Sequence, residues 1–343
     1  MRLARTGARH PALSHTALRL APVAVSVAVL AAGCHVPGTS SSAGVSGDTQ
    51  ITVAVVPGLD TAPLQVALKD NLFEQAGLQV TVRDYPSLTA EFQALTGGQA
   101  QIAAGDYTGF FYQQATGRAS LRLIADGYDA ASNSVAILTL PSSGITTPQQ
   151  LAGRPGGVAT PPAQLAPYSR AVPYNIQTLA AEEVLQNDGV SPSSVTWTQM
   201  QPQDMIGALK SGQVAAILVS EPYILEAEKQ LGAVEVMDAS SGVTSGLPMS
   251  GYFSQASYAH ANPSVVRAFA RALDQAQSDC AQRGPVQMAL SGLAGLQPGD
   301  ASLVTLGTYP TSLNVGQVQR LASLMYDSGM ISNQVSVGSL TSG

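Results

Sequence analysis

Lysine is nearly absent from this 343-residue chain: Lys69, Lys210 and Lys229 are the whole supply, each in a polar helical stretch. A Schiff-base enzyme therefore has no candidate nucleophile in an apolar setting. No basic run follows the N-terminal segment, which argues against binding nucleic acid or anionic lipid through a cationic face. Histidine is scarce too, at four residues, of which His10 and His15 lie in the first fifteen positions, His35 in a Gly/Ser-rich stretch and His260 before a helix. That leaves no Ser/His/acid set and no His/Cys cluster for zinc. GxSxG, a Walker loop and GxGxxG are all missing, and GRPGGV at 153–158 lacks the spacing of a phosphate loop. No metal and no cofactor is expected. Carboxylates are the one reactive type in supply, and Asp60, Asp106, Asp126, Asp129 and Glu221 have the positions for a hydrolytic pair but no motif.

The N-terminus comes apart from the rest. Residues 1–20 hold Arg2, Arg5, Arg9 and Arg19 with no acid, and APVAVSVAVLAAGC follows, which reads as a secretion signal. Its apolar run is shorter than the roughly 20 residues that span a bilayer. Leu30-Ala31-Ala32-Gly33-Cys34 resembles a bacterial lipobox, so residues 1–33 are expected to be a lipoprotein signal peptide and Cys34 the lipid-bearing first residue. Residues 34–50 then form a flexible tether. Maturation leaves 12 basic residues against 22 acidic, a net charge of −10. Of the two cysteines only Cys280 remains for the fold, which excludes an intramolecular disulfide and makes Cys280 a small core residue.

From Ile51 on, short apolar strands alternate with amphipathic helices: ITVAVV, a helix over 63–77, LQVTVRDY, a helix around LTAEFQAL, AQIAAG, a helix from Asp106, and LRLIADG. Serial β-α-β predicts a mainly parallel sheet with helices on both faces. The second half repeats the plan, and ALTGGQ at 94–99 echoes ALKSGQ at 208–213 with an offset of 114. The fold class is thus α/β, a two-lobe clamp with a helical C-terminal tail that packs back on the first lobe; the length alone calls for two cores. The expected division is 51–138 for the first part of lobe 1, 139–244 for lobe 2, and 245–343 for the return to lobe 1 and the C-terminal helices. VAILTL (135–140) and SGVTSGLPMSGYF (241–253) are expected to be the two crossings, and GDASLVTLGTY (299–309) to be helical.

In such sheets ligands bind at the carboxyl ends of strands, where helix N-termini offer unpaired N–H groups. QIAAGDYTGFF (101–111) is one such junction, with Asp106 a helix cap or a ligand contact and Tyr107 and Thr108 in the first turn. VSEPY (219–223) is its partner, with Glu221 and Tyr223. The loops after other strands add Asp60, Tyr128, Tyr174 and Asn175, while Arg170 is the one cation in its loop, an anion partner or a solvated residue. Gly251-Tyr252-Phe253, near the second crossing, is a weaker candidate.

The lipobox, NLFEQAGLQVTV, ALTGGQAQIAAGDYTGFF, PQQLAGRPGGVAT and QDMIGALKSGQVAAILVSEPY together resemble the solute-binding lipoproteins of ABC importers, in the nitrate, sulfonate, taurine and thiamine-pyrimidine branch with the type II periplasmic-binding-protein fold. The resemblance covers roughly residues 50–283. It implies a monomeric, lipid-anchored protein outside the cell membrane that closes two lobes on a small polar organic solute or anion, sulfonate-, taurine- or nitrate-like, and hands it to an ABC permease. Asp106, Tyr107, Thr108, Glu221 and Tyr223 fall at the family's cleft junctions. A thiamine-pyrimidine precursor in the same clamp, an exported enzyme and a surface sensor are the alternatives. PPAQLAPYSRAVPYN is longer and richer in proline than the segment the family places there.

Overall fold

The computed structural model describes residues 49–159, 175–291, 296 and 299–341. The signal, the lipobox and most of the tether lie outside these residues, as do Arg170 and Tyr174.

The first lobe runs β1 (Thr49–Val55), α1 (Ala62–Lys69), α2 (Leu72–Gln75), β2 (Leu78–Asp84), α3 (Leu88–Thr96), β3 (Ile102–Asp106), α4 (Tyr107–Ala115) and β4 (Leu121–Asp129). The second runs β5 (Val135–Thr139), β6 (Pro155–Ala159), α5 (Ile176–Asn187), β7 (Thr196–Met200), α6 (Pro202–Ser211), β8 (Ala216–Ser220), α7 (Tyr223–Leu231) and β9 (Val234–Asp238). The chain then returns as β10 (Pro248–Gln255), followed by α8 (Ala256–Ala261), α9 (Pro263–Asp279), α10 (Arg283–Leu290), α11 (Val315–Asp327) and α12 (Val337–Thr341).

Two five-stranded mixed sheets result, ordered β2-β1-β3-β10-β4 and β7-β6-β8-β5-β9. Each is parallel except for one strand, β10 in the first and β5 in the second, which pairs antiparallel with both neighbours. The repeat seen in the sequence is the repeat of the fold: α1 and α5, α3 and α6, and β3 and β8 each begin 114 residues apart.

The crossings lie elsewhere than expected. VAILT is β5, whose five residues are all buried, because a fully apolar run satisfies both faces of an interior strand. Residues 135–138, assigned above to the first lobe, thus belong to the second sheet. The residues from Pro248 onward, assigned to the second crossing, are β10, inside the first sheet. The chain crosses instead through 130–134 and 239–247. The connection is tied by Ser240 Oγ, which accepts from the amides of Ser134 and Val135 at 3.2 Å each.

The C-terminal helices do pack on the first lobe. α9 buries Val265, Ala268, Phe269, Ala272, Leu273 and Ala276 at helical spacing against α1 and α2, with Phe269 stacked on Phe73 at 5.0 Å between centroids. Cys280, at its end, is buried, and burial pushes its thiol up to about 12. α11 and α12 pack on α4, β4 and β10. Residues 299–309 are not the expected helix. After a single 3-10 turn at Asp300–Ser302 the chain runs irregularly past the cleft, because its amides are drawn to acceptors in both lobes, as described next.

Candidate functional site

The carboxyl ends of the parallel strands of both sheets open on one cavity of about 670 Å³. The first lobe contributes Val56–Asp60, Pro86–Thr89, Ala104–Asp106, Tyr128 and, from β10, Met249 and Ser250; the second contributes Asn175–Gln177, Gln201–Gln203 and Ser220–Tyr223. Among the described lining residues there is no lysine, arginine or histidine.

Asp106 ends β3 and caps α4. Its Oδ1 accepts from Thr108 N and Thr108 Oγ1, both at 2.7 Å, while its Oδ2 accepts from Ile176 N of the opposite lobe at 3.3 Å. Burial raises its pKa, and the Thr108 hydroxyl and the amides of Thr108 and Ile176 oppose the rise. Glu221 does the same from the other side. Its Oε2 accepts from Leu225 N in the first turn of α7 at 3.1 Å, and its Oε1 accepts from Thr305 N, on the segment that follows α10, at 2.8 Å. Burial raises Glu221 as well, against those two amides. Each lobe therefore sends one acid from the end of a parallel strand, β3 or β8, across to a backbone amide of the other side, a charge-assisted bond stronger than a neutral one. Lys229 of α7 adds an ion pair to Asp300 at 2.7 Å, and Tyr128 Oη accepts from Gly307 N.

The starts of α3 and α5 at the cleft also carry their own acceptors, whereas α6, which starts at the cavity with Gln201–Gln203, has no side-chain cap. Ser87 Oγ accepts from Ala90 N at the head of α3, and Asn175 Oδ1 accepts from Thr178 N at the head of α5. Asn175 thus sits at the cavity as an N-cap. Tyr223 opens α7, with Pro222 as the capping residue rather than the first helical one, and lines the opposite wall from Tyr128.

Asp60 stands in the loop after β1 and lines the cavity. Burial pushes it up to about 6, the Asp106 charge adds to this, and the Ser250 side chain with the amides of residues 60 and 61 opposes it. Behind it lies Glu91, an acid the sequence did not single out. Glu91 is fully buried, and burial with the Asp60 and Asp106 charges holds its pKa well above the usual range, against the opposing backbone amide of Ala104. A signal for it was present: in α3, Glu91 shares a helical face with Ala94 and Leu95, both buried. Gln177, Gln201, Gln203 and Ser250 were also missed, the glutamines being polar residues at helix starts and Ser250 a polar residue within β10, with no pattern to separate them from surface; Ser220 belongs to the VSEPY junction. Gln177 Nε2 donates to Ser220 Oγ at 3.0 Å.

Two expected ligand contacts turn inward. Tyr107 is fully buried and donates to Asp126 Oδ1 at 2.8 Å; its ring packs on Phe111 and Phe253, at 5.3 and 5.5 Å. It fits there because Gly251 faces it on β10: a Cβ at that position would lie 2.7 Å from the phenol ring. Thr108 is buried with its hydroxyl on Asp106. Neither lines the cavity, since the first turn of α4 presents these side chains to the sheet rather than to the cleft. Asp60, Asp106, Tyr128, Asn175, Glu221 and Tyr223 do line it together.

Residues 44–291 match the NMT1-like family. No protein of curated function matches the sequence. Several solved structures share the fold. The periplasmic aliphatic sulphonate binding protein SsuA from Escherichia coli superposes with a TM-score of 0.69 at 18% identity, covering 86% of this chain and 98% of that one. The alkanesulfonate-binding protein SsuA from Xanthomonas axonopodis pv. citri bound to MOPS gives 0.68 at 19%, covering 87% and 99%. The desulfurization enzyme DSZB gives 0.63 at 16%, covering 86% and 96%. At these identities the likeness is one of fold.

Proposed function

Since the chain belongs to the NMT1-like family and has the fold of periplasmic binding proteins, we propose that it is the extracytoplasmic solute-binding component of an ABC importer. On this reading Cys34 carries a lipid that holds the protein at the outer face of the cell membrane, the mature protein works as a monomer, and its partners are a small polar organic solute and a membrane permease. The observation that carries the proposal is the cavity of about 670 Å³ at the strand ends of two sheets of identical order. A cleft of that size buries a small solute on both sides.

Binding rather than turnover is supported by how the two bridging acids are used. Asp106 and Glu221 commit their oxygens to backbone N–H groups of both lobes, so they fasten the closed cleft rather than face each other as an acid and a base. The proposed contacts are Asp60, Tyr128, Asn175 and Tyr223, with Asp106 and Glu221 shaping the walls.

A calorimetric screen of the full chain tests the reading, with sulfonates, taurine, nitrate, thiamine-pyrimidine precursors, amines and neutral polar solutes. A solute bound in one-to-one ratio, recovered unchanged and lost on Tyr223→Ala, is the expected result. Recovery of a converted product points instead to an enzyme on the same scaffold. Anchoring is tested separately: Cys34→Ser is expected to move the protein from the membrane fraction to the soluble one, and an unchanged distribution refutes the lipid.

A further inference from the structure

The cleft of this protein combines carboxylates with helix starts that are mostly occupied by its own side chains, and the two observations point the same way. In a binding protein of this fold an anion has one natural seat, the unpaired N–H groups at helix N-termini. Here four helix starts are occupied by the chain itself, Thr108 N by Asp106, Ala90 N by Ser87, Thr178 N by Asn175 and Leu225 N by Glu221, while the start of α6 at Gln201–Gln203 carries no side-chain cap. Ile176 N, at the start of α5, is taken by Asp106 from across the cleft. At α4, α5 and α7 an incoming sulfonate or nitrate would have to displace a carboxylate from the N–H it sought.

The first lobe's wall goes further. Asp60, Glu91 and Asp106 lie close enough for each of Asp60 and Asp106 to act on Glu91, and no described cation lines the cavity to offset them. Asp60 borders the open space. Glu91 lies directly behind it, its two oxygens 2.9 and 3.1 Å from where a Cβ on the lining residue Gly105 would stand. Burial without a counter-charge disfavours the charged form of each acid, and their neighbours add to it. A cation bound against them would offset that cost and favour the carboxylate form. Tyr128 and Tyr223 stand at opposite walls of the same cavity, and aromatic faces attract cations.

Building on the solute-binding reading, we propose that the ligand is an organic monocation with N–H donors, such as an amine or an amidinium, seated on Asp60 against the Asp60–Glu91–Asp106 wall. This departs from the sulfonate- or nitrate-like anion that the family resemblance led us to expect. A planar amidinium meets a carboxylate through two parallel N–H bonds, and each such bond is stronger for being charge-assisted.

Three phenyl compounds of matched shape decide the matter: benzamidine, benzamide and benzenesulfonate, a cation, a neutral amide and an anion. Binding to the full chain is read by saturation-transfer NMR and calorimetry. Benzamidine is expected to bind tightest, by about tenfold or more over each of the others, and Asp60→Asn is expected to remove that preference. Because Asp60→Asn carries a risk to folding, its melting curve is compared with that of the parent, and the ranking of the three compounds by the unaltered chain stands as a test by itself. Benzenesulfonate or benzamide binding first overturns the cation assignment while leaving the solute-binding reading intact. A benzamidine preference that survives in a folded Asp60→Asn protein overturns the seat on Asp60. If none of the three binds, the assignment falls, and the wider solute screen decides the binding reading separately.

Discussion

The two lobes share a strand order and a 114-residue repeat, yet their cleft walls are built from different chemistry. The first lobe brings three acids, Asp60, Glu91 and Asp106, backed by an aromatic core in which Phe110 stacks on Phe253 at 4.2 Å and Tyr107 packs on both Phe111 and Phe253. The second brings amides, Asn175, Gln177, Gln201 and Gln203, with Glu221 and Tyr223, backed by an aliphatic core of Leu138, Met205, Leu209, Ile217 and Ile224. A β-α-β frame fixes where a wall stands but not what it carries, since the residues after each strand are free of the packing that constrains the strand itself. One contact recurs from neighbouring rather than equivalent positions: Asp106 at the end of β3 and Glu221 just past β8, 115 residues apart, both reach an amide across the cleft.

The largest expected effects lie in the two cores. Phe253→Ala removes the ring shared by Tyr107, Phe110 and Phe111 and should cost about 3–5 kcal/mol in chemical denaturation. Leu138→Ala, in the equivalent antiparallel strand of the second sheet, should cost about 2–5 kcal/mol. A single sharp transition for both variants means the lobes unfold together, whereas two transitions in only one of them would separate the lobes energetically.

Gly105 offers a finer contrast. At the same offset of 114 the second lobe carries Val219, buried in β8, whereas a Cβ at Gly105 meets Glu91 at 2.9 Å and the Phe110 ring at 3.2 Å. Gly105→Ala should therefore destabilise the protein by about 1–3 kcal/mol, and the double variant Gly105→Ala, Glu91→Ala should recover much of that loss. A harmless Gly105→Ala would mean that Glu91 does not press on the cleft wall.

Asp106→Ala removes a helix cap together with the bond to Ile176, for about 1–2 kcal/mol by differential scanning calorimetry. Glu221→Ala should cost a similar amount if the two are true counterparts, and a loss confined to one would break the pairing.

The smallest effect concerns pH, with one group in each lobe. Burial pushes Asp129 up to about 7, with Asp126 adding, and Glu182 up to about 7, with Glu183 adding. In both cases the folded pKa exceeds the unfolded one, so the folded state holds more protons and stability falls as pH rises from about 4 through 7. Melting at pH 8 should come a few degrees below melting at pH 5.5. Asp129→Asn and Glu182→Gln should each reduce that difference, by on the order of 1 kcal/mol at pH 8 after allowance for solvent access. A melting temperature that rises with pH over this range contradicts the assignment.

Much of the site's location was legible because it follows from chain order. Residues directly after an apolar strand and before a helix lie at the sheet's ligand-binding edge whatever their packing, which is how Asp60, Asp106, Asn175, Glu221 and Tyr223 were reached. Tyr107 and Thr108 satisfied the same rule and failed it, because one helical turn is 3.6 residues and its side chains point in all directions around the axis. The direction that faced the sheet was set by Gly251, 144 positions away in the chain. Glu91 was hidden for the opposite reason: an acid in an amphipathic helix reads as solvated unless the far side of the helix is known to be covered.

By itself the sequence determined the alternation of strands and helices, the doubling of the unit, the acidic character and the shortage of cations, because these depend on local period and composition. The tertiary structure alone decided that VAILT is an interior strand, that residues 304–309 serve as a row of donors rather than a helix, and that the starts of α3, α4, α5 and α7 at the cleft are already capped. Each of those depends on a partner far along the chain, and a hydrogen bond or a buried charge takes its energy from the groups around it rather than from the residues beside it in sequence.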